Sequence, residues 1–359
     1  MLDFVLRRVA YGLLVLLGVV VIVFFLFNVL PGDPARMMLG QRADVSSIEA
    51  INKDLGRDRS LPVQFLFYLN DLSPLSFHTM EDSSSILFFN KDKYGAGIRL
   101  LPMGAVGSVV LKKPYLRRSY QSSRKVSDIL LDALPGTILL SLSSMLFATI
   151  MGLLLGILSA LFKHSWVDRL SMVLAVLGMS LPSFFAGILI AWVFGFLLSD
   201  YTGLHMTGGL YATSVFGGTV LQLKNLILPT LTLGIRPLAV IVQLTRSSML
   251  EVLSQDYIRT ARAKGLAFRR IVLKHALRNA LNPVVTAISG WFASLLAGAV
   301  FVEFIFGWKG VGKVTVDALE KYDLPVVMGA VLMVAMMFVI INILVDILYG
   351  LFDPRIRIQ

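Results

Sequence analysis

Few residues of this chain could carry bond chemistry, and they do not converge. None of the 359 residues is cysteine, which excludes thiolate nucleophiles, thiolate metal sites and disulfides. The four histidines, at 78, 164, 205 and 275, are scattered and suggest no metal cluster. Ser141, Ser143 and Ser144 lie in an apolar run without a histidine to serve as base. Hydroxyls in such runs mostly satisfy neighbouring helices. Gly307 to Lys313 has the G-x-x-x-x-G-K spacing of a phosphate-binding loop. Val314 follows, where that loop needs a hydroxyl for Mg²⁺, and no strand precedes it. The stretch reads instead as a tight turn before a short helix from Val311 to Glu320. No catalytic or metal constellation emerges, so the chain is not read as an enzyme. Charge in unusual places remains: Arg236 inside an apolar run, Asp346 at the end of another, and a dense basic stretch from Arg246 to Arg278.

The surrounding composition explains that pattern. Hydrophobic residues make up 56% and charged residues 15%, against about 45–50% and 25% in soluble domains. A disordered chain, a nucleic-acid-binding arm and an ordinary cytosolic enzyme are excluded, and an all-α polytopic membrane protein is expected. Six apolar stretches approach the roughly 20 residues that cross a bilayer as helix. The first runs from Val9 to Leu30, and Pro31-Gly32-Asp33-Pro34 stops it. It is too long for a signal-peptide core and lacks a cleavage site, so it reads as a retained span. The second lies within Ala133–Phe162 and the third within Leu170–Leu198. The fourth, Leu226–Leu244, is interrupted by Arg236-Pro237. The fifth fills the gap between Arg278 and Glu303, and the sixth the gap between Asp323 and Asp346. Gly152 and Gly156 in the second read either as a close helix contact or as ordinary small residues of a bundle.

A net charge of +11 would suggest nucleic acid in a soluble protein. Here the basic residues crowd one side. With the N-terminus inside, the inner segments hold fourteen basic and five acidic residues, while the two short outer connections hold four lysines against five acids. That asymmetry places both termini in the cytoplasm. Residues 1–30 then form the N-terminus and first span, 31–130 an extracytoplasmic loop or small cap, and 131–359 a five-helix core. Within 31–130, Leu61 starts a helix, Ser85–Phe89 is strand-like, and the basic stretch Lys112–Lys125 reads as a solvated face.

The inner segment 246–281 is the most informative. It reads as two short helices broken at Gly265, with Leu253, Tyr257 and Ala261 on one stripe and Arg259 and Arg262 on another. Such an element can dock in a partner's groove or grip lipid headgroups. Its core, Thr260-Ala261-Arg262-Ala263-Lys264-Gly265, resembles the EAA loop of ABC-importer permeases. Asp256-Tyr257 before it and His275–Leu281 after it are similar to the dipeptide/oligopeptide branch. Arg7-Arg8, Ser180-Leu181-Pro182-Ser183-Phe184, Phe304–Trp308 with Gly310 and Gly312, Asn342 with Asp346, and Asp353-Pro354-Arg355-Ile356-Arg357 resemble other motifs of that branch, in order.

The resemblance implies a six-helix permease of the ABC-importer type I arrangement in a bacterial inner membrane, with an enlarged loop between the first two helices. It implies a second homologous permease subunit, two cytoplasmic ATPases that bind ATP and Mg, and an extracytoplasmic substrate-binding protein. No cofactor belongs to this chain, and lipid but no nucleic acid is a partner. Tyr257, Thr260, Ala261, Arg262, Ala263, Lys264 and Gly265 would couple to an ATPase. Arg236 and Pro182 would lie on the path. The cargo is expected to be a short peptide, with nickel complexes or other small solutes as alternatives in the same family. An ion-coupled secondary transporter is the alternative from another class, because Arg236 places a charge in a span.

Overall fold

The computed structural model describes residues 2–29, 59–80, 85, 87–102, 107–213 and 218–352. The Pro31–Pro34 stop, Ile86 of the strand-like run and the Asp353–Arg357 motif lie outside them. The chain is mostly helical but not all-α, because two small antiparallel sheets interrupt the helices. In chain order the elements are α1 Leu2–Val29, α2 Leu61–Leu72, β1 Leu75–His78, α3 Lys91–Tyr94, β2 Gly97–Pro102 and β3 Ser108–Lys112. There follow α4 Val126–Leu161, α5 Trp166–Ser180, α6 Ser183–Trp192, α7 Ser199–Thr202, β4 Tyr211–Thr213, β5 Thr219–Leu221 and α8 Ile227–Leu253. The rest comprises α9 Asp256–Ala263, α10 Phe268–Arg270, α11 Leu277–Ile305, α12 Val311–Glu320 and α13 Leu324–Phe352. A π turn, Ile271–Ala276, joins α10 to α11 without a break. Among the described residues four helices are long and apolar enough to cross a membrane, and there are up to six spans if each of two bent pairs counts as one.

The chain divides into two units. The first gathers Met1–Leu13, Ala133–Lys313 and Met336–Gln359, and α8 is its axis. Small residues of α4 let α8 approach closely. A Cβ on Gly152 would lie 2.7 Å from Ile241 Cγ2, one on Gly156 2.6 Å from Thr245 Cβ, and one on Gly234 3.0 Å from the Ser144 carbonyl. Of the two readings of Gly152 and Gly156, close helix packing holds. Positions rise together along this seam, so α4 and α8 run parallel. Away from it, Leu142, Leu146, Ile150, Leu154 and Leu158 form an exposed apolar stripe, as a lipid-facing side requires.

The contacts of α5 and then α6 follow α8 in the opposite chain sense. Ala175 packs on Ala239 and Val242, Gly178 faces Ile235, Gly187 faces Thr232, and Ala191 joins Leu228. A bend of 115° separates α5 from α6. Its cause is local: Leu181 precedes a proline and is held extended, as a pre-proline residue prefers. Pro182 occupies the N-cap of α6. Pro237, by contrast, does not interrupt α8, which continues through it to Leu253. A proline removes one helical hydrogen bond, and inside a tightly packed bundle the remaining ones face no competition from water.

The second unit comprises Leu14–Asp132 and Val314–Ala335. The helix expected at Leu61 is α2. Its Phe65, Tyr68 and Leu72 pack with Val23, Phe24, Met328 and Leu332. β3 is central in the three-stranded sheet, with Leu75 and Ile98 both opposite Leu111. One sheet face buries Ser76, His78, Val110 and Lys112 beside Phe89 and Tyr94. The basic stretch is therefore not wholly a solvated face, since Lys112 lies inside. Its ammonium donates to the Asp71 carbonyl at 2.6 Å and stands 4.7 Å over the Tyr94 ring. The Tyr94 hydroxyl donates to Asp71 Oδ1 at 2.7 Å. Burial pushes Lys112 down to about 8 and Tyr68 up to about 12. It also raises Tyr94 and lowers His78. Phe88 forms only an isolated bridge with Thr79. Asp323, just before α13, accepts from Ser119 Oγ at 2.5 Å and from the Tyr120 N–H at 2.9 Å.

Candidate coupling site

Between α8 and α10 the chain makes one separate helix, not two. α8 ends at Leu253, Gln255 turns extended, and α9 starts at Asp256. Leu253 thus belongs to the preceding helix, which breaks the expected stripe through Leu253, Tyr257 and Ala261. The buried stripe is Ile258 and Ala261, three residues apart on one face. They pack with Ala160 of α4, Met249 and Val252 of α8, and Ile271, Val272, Ala276 and Ala280 around the π turn. The residues expected to form a second short helix instead begin the long α10–α11 helix.

Gly265 ends α9. Its φ is +75°, a conformation that suits glycine. Its N–H donates to the Arg262 carbonyl at 2.9 Å, and the Leu266 N–H to the Ala261 carbonyl at 3.3 Å. This pair of bonds is a Schellman cap, and Leu266 supplies its customary apolar contact beside Ala261. A Cβ on Gly265 would meet nothing within 4 Å. Backbone conformation, rather than space, therefore requires the glycine.

The other expected coupling residues divide by face. Thr260, Arg262, Ala263, Lys264 and Gly265 are exposed. The Thr260 hydroxyl donates to the Asp256 carbonyl at 3.0 Å. Tyr257 is partly exposed, yet its hydroxyl accepts from Asn279 Nδ2 at 2.7 Å and donates to the His275 carbonyl at 3.4 Å. It pins α9 to the π turn and the start of α11. Of the two expected path residues, Pro182 is exposed at the α5–α6 break. Arg236 is exposed on α8, without a hydrogen bond or ion pair among the described residues. On the packed neighbour α11, Asn282, Thr286, Gly290 and Ser294 are exposed at four-residue spacing, unlike the leucine stripe of α4.

Two carboxylates that sequence reasoning passed over, and one that it singled out, prove central. Asp168 is buried against Arg246. Glu303 is fully buried and accepts from Thr137 Oγ1 and the Gly312 N–H, each at 2.7 Å, and from the Lys313 N–H at 3.1 Å. Asp346, expected to pair within the inner connection, pairs with Arg8 at 3.2 Å instead. The phosphate-loop spacing thus has an anion after all. The amides at the start of α12 close on the chain's own Glu303, and a Cβ at Gly310 or Gly312 would collide with that carboxylate.

Comparison with known proteins decides what this arrangement belongs to. Residues 152–358 match the family "Binding-protein-dependent transport system inner membrane component", and residues 1–81 match the N-terminal component of such systems. The chain belongs to this family, as an ABC-importer permease of the peptide-type branch. The permease is 37% identical over 357 residues, 99% of each chain, to the glutathione transport system permease protein GsiC of Pectobacterium atrosepticum. It is 36% identical over 358 residues, again 99% of each chain, to the GsiC protein of Escherichia coli K12. A chain of the inward-facing MetNI methionine ABC transporter shares the fold, with a TM-score of 0.52 and 16% identity, over 63% of this permease and 97% of that chain. Membership in a binding-protein-dependent family decides between the two transport classes that Arg236 left open. The N-terminal match also carries the likeness to residue 81, further into segment 31–130 than the motifs did.

Proposed function

We propose that this permease forms half of the translocation path of an ATP-driven importer for short peptides, and that α9 couples it to a cytoplasmic ATPase. One observation carries the coupling reading. α9 is a separate eight-residue helix whose inner face packs under the ends of three long helices, while its outer face of Arg259, Arg262, Ala263 and Lys264 is bare. A helix built this way transmits displacement to the spans and presents a basic, small-residue surface to a partner. The partners are a second homologous permease, two ATPases that hold ATP and Mg, and an extracytoplasmic binding protein that docks on residues 31–130.

In this reading the chain crosses the inner membrane six times, with both termini cytoplasmic. The parallel run of α4 and α8 supports it, because the α5–α6 pair between them has to cross back. From Arg246 to Leu228, α8 rises about 27 Å, close to the roughly 30 Å of a hydrocarbon core. The asymmetry of basic residues gives the direction. Arg236 and the polar stripe of α11 face the path rather than lipid, since a charge among acyl chains costs at least about 2.5–3.5 kcal/mol. Relatives named for glutathione transport favour a tripeptide-sized cargo, whose carboxylates Arg236 would meet.

The test uses the complex reconstituted with its partners. Gly265→Trp should leave the permease assembled and ATP hydrolysis active but reduce import per ATP. Unchanged import per ATP in a well-assembled Gly265→Trp complex would falsify the coupling role. Arg236→Gln should reduce import of free-acid peptides more than of C-terminally amidated ones; equal loss for both cargoes removes Arg236 from the path.

A further inference from the structure

Asp168 and Arg246 are separated by 78 positions and meet side by side. Arg246 Nε donates to Asp168 Oδ1 at 2.6 Å and Nη2 to Oδ2 at 2.9 Å. The same carboxylate accepts from Ser159 Oγ at 2.5 Å and from the His164 N–H at 3.0 Å. One buried carboxylate therefore joins the end of α4, the α4–α5 turn, the first turn of α5 and α8. A two-pronged guanidinium contact fixes an angle as well as a distance.

The remainder of the α5–α8 contact is largely apolar. Ala175 lies against Ala239 and Val242, Gly178 against Ile235, and Gln243 Nε2 donates to Met179 Sδ at 3.3 Å, so among the described residues the Asp168–Arg246 fork is the charge-assisted bond of this seam. The clamp sits at its inner end. Arg246 lies about two turns before the end of α8, and that end carries Met249 and Val252, on which α9 rests. Ala160, next to Ser159, rests on α9 as well. At the far end of α5 the chain is broken at Leu181-Pro182.

We propose that Asp168 and Arg246 are a positioning pair that makes α5 follow α8, so that a displacement received by α9 is delivered to the Leu181-Pro182 break instead of being lost as slip between the two helices. This rests on the coupling role proposed for α9. Neither residue touches cargo or ATPase in this scheme.

Arg246→Lys tests it in the reconstituted complex. Lysine keeps the charge, which spares the buried carboxylate an unpaired neighbour, but it cannot make the fork. Basal ATP hydrolysis and the amount of assembled complex should stay near the parent. Import per ATP should fall about tenfold, the equivalent of one lost charge-assisted contact. Asp168→Asn should lower the same ratio at least as far. A pair that only stabilises the fold would reduce assembly and leave import per ATP unchanged in the complex that survives, and that result overturns the proposal. Gly265→Trp is measured in parallel. Import per ATP lost there but kept in Arg246→Lys refutes the clamp alone, and import per ATP kept in both refutes the clamp together with the α9 reading beneath it.

Discussion

The connection after Glu303 and the connection after Leu253 are both short, glycine-bearing joints between long helices, yet they are built in opposite senses. In the Glu303 joint the glycines make room. Gly310 and Gly312 let the amides of α12 close on a buried carboxylate, Thr137 Oγ1 also accepts from the Val311 N–H at 2.8 Å, and the Trp308 indole donates to the Gly136 carbonyl at 2.9 Å. Every polar group named there finds its partner inside the chain. In the Leu253 joint, Gly265 supplies a left-handed turn with open space around it. Its helix buries one face, and the basic face is left to solvent. The first joint is finished within the chain. The second joint buries one face of its helix and leaves the other exposed, with Arg259 paired, among the described residues, only to Asp256 of the same helix at 3.3 Å, and such a face is where a partner is expected.

The comparison breaks most readily at Glu303. Glu303→Ala strands two backbone amides and the Thr137 hydroxyl, at about 1–3 kcal/mol for each unsatisfied group. A loss of about 4 kcal/mol is expected, read as a collapse of folded permease in detergent thermal melts. A loss below about 1 kcal/mol would mean that the joint is not finished within the chain.

The two glycines sharpen it next. Gly312→Ala places a Cβ against Glu303 and Val300 in a packed site, where overpacking costs about 1–3 kcal/mol. Gly265→Ala meets no atom and bears only the left-handed backbone, about 1–2 kcal/mol. Asparagine separates the causes: Gly265→Asn should recover most of the loss because asparagine tolerates that conformation, and Gly312→Asn should recover none. Equal behaviour of the two asparagine variants in the same melts would erase the distinction between space and conformation.

Lys112 carries the idea of internal satisfaction to the three-stranded sheet. Burial lowers its folded pKa from 10.5 to about 8. Between those values the unfolded chain holds the extra proton, so stability should rise with pH across that window. Tyr68, raised from 10.0 to about 12, and Tyr94, also raised, act in the other sense once unfolded tyrosines ionise. The melting temperature of the second unit should therefore climb above pH 8 and turn over near pH 10. Lys112→Met should flatten the climb. A parent profile that falls steadily from pH 8 would show that Lys112 is not buried in solution.

Much of this was legible because local rules settled it. The turn at Gly265, the helix Val311–Glu320 and the helix start at Leu61 follow from glycine, proline and apolar spacing within a dozen residues. The fourth apolar run continues as one helix through Arg236-Pro237, since a proline that breaks an isolated helix is carried by a packed one. Asp168 and Arg246 could not be paired by sequence: 78 residues separate them, and each looks like an ordinary flank of an apolar run. Glu303 was hidden similarly, as its partners are two backbone amides that carry no sequence signature and a threonine 166 residues away. The strands failed because β1 and β3 alternate over only four and five residues, and Lys112 occupies a buried position where the pattern calls for an apolar one.

The smallest expected effect on stability decides most about function. Arg262 and Lys264 are exposed, and surface changes of this kind shift stability by no more than about 0.5 kcal/mol. Arg262→Glu with Lys264→Glu reverses two charges on the face that the chain leaves bare, without touching Ile258, Ala261 or the cap at Gly265. The melts should match the parent. Co-purification of the ATPases and import should both fall, and the fall should be greater at low salt, where opposed or matched charges are least screened. If the double variant instead melts early, α9 depends on those charges for its own fold, and the Leu253 joint is finished within the chain like the other. If melts, assembly and import are all unchanged, the bare face is an ordinary solvated surface and the partner contact lies elsewhere.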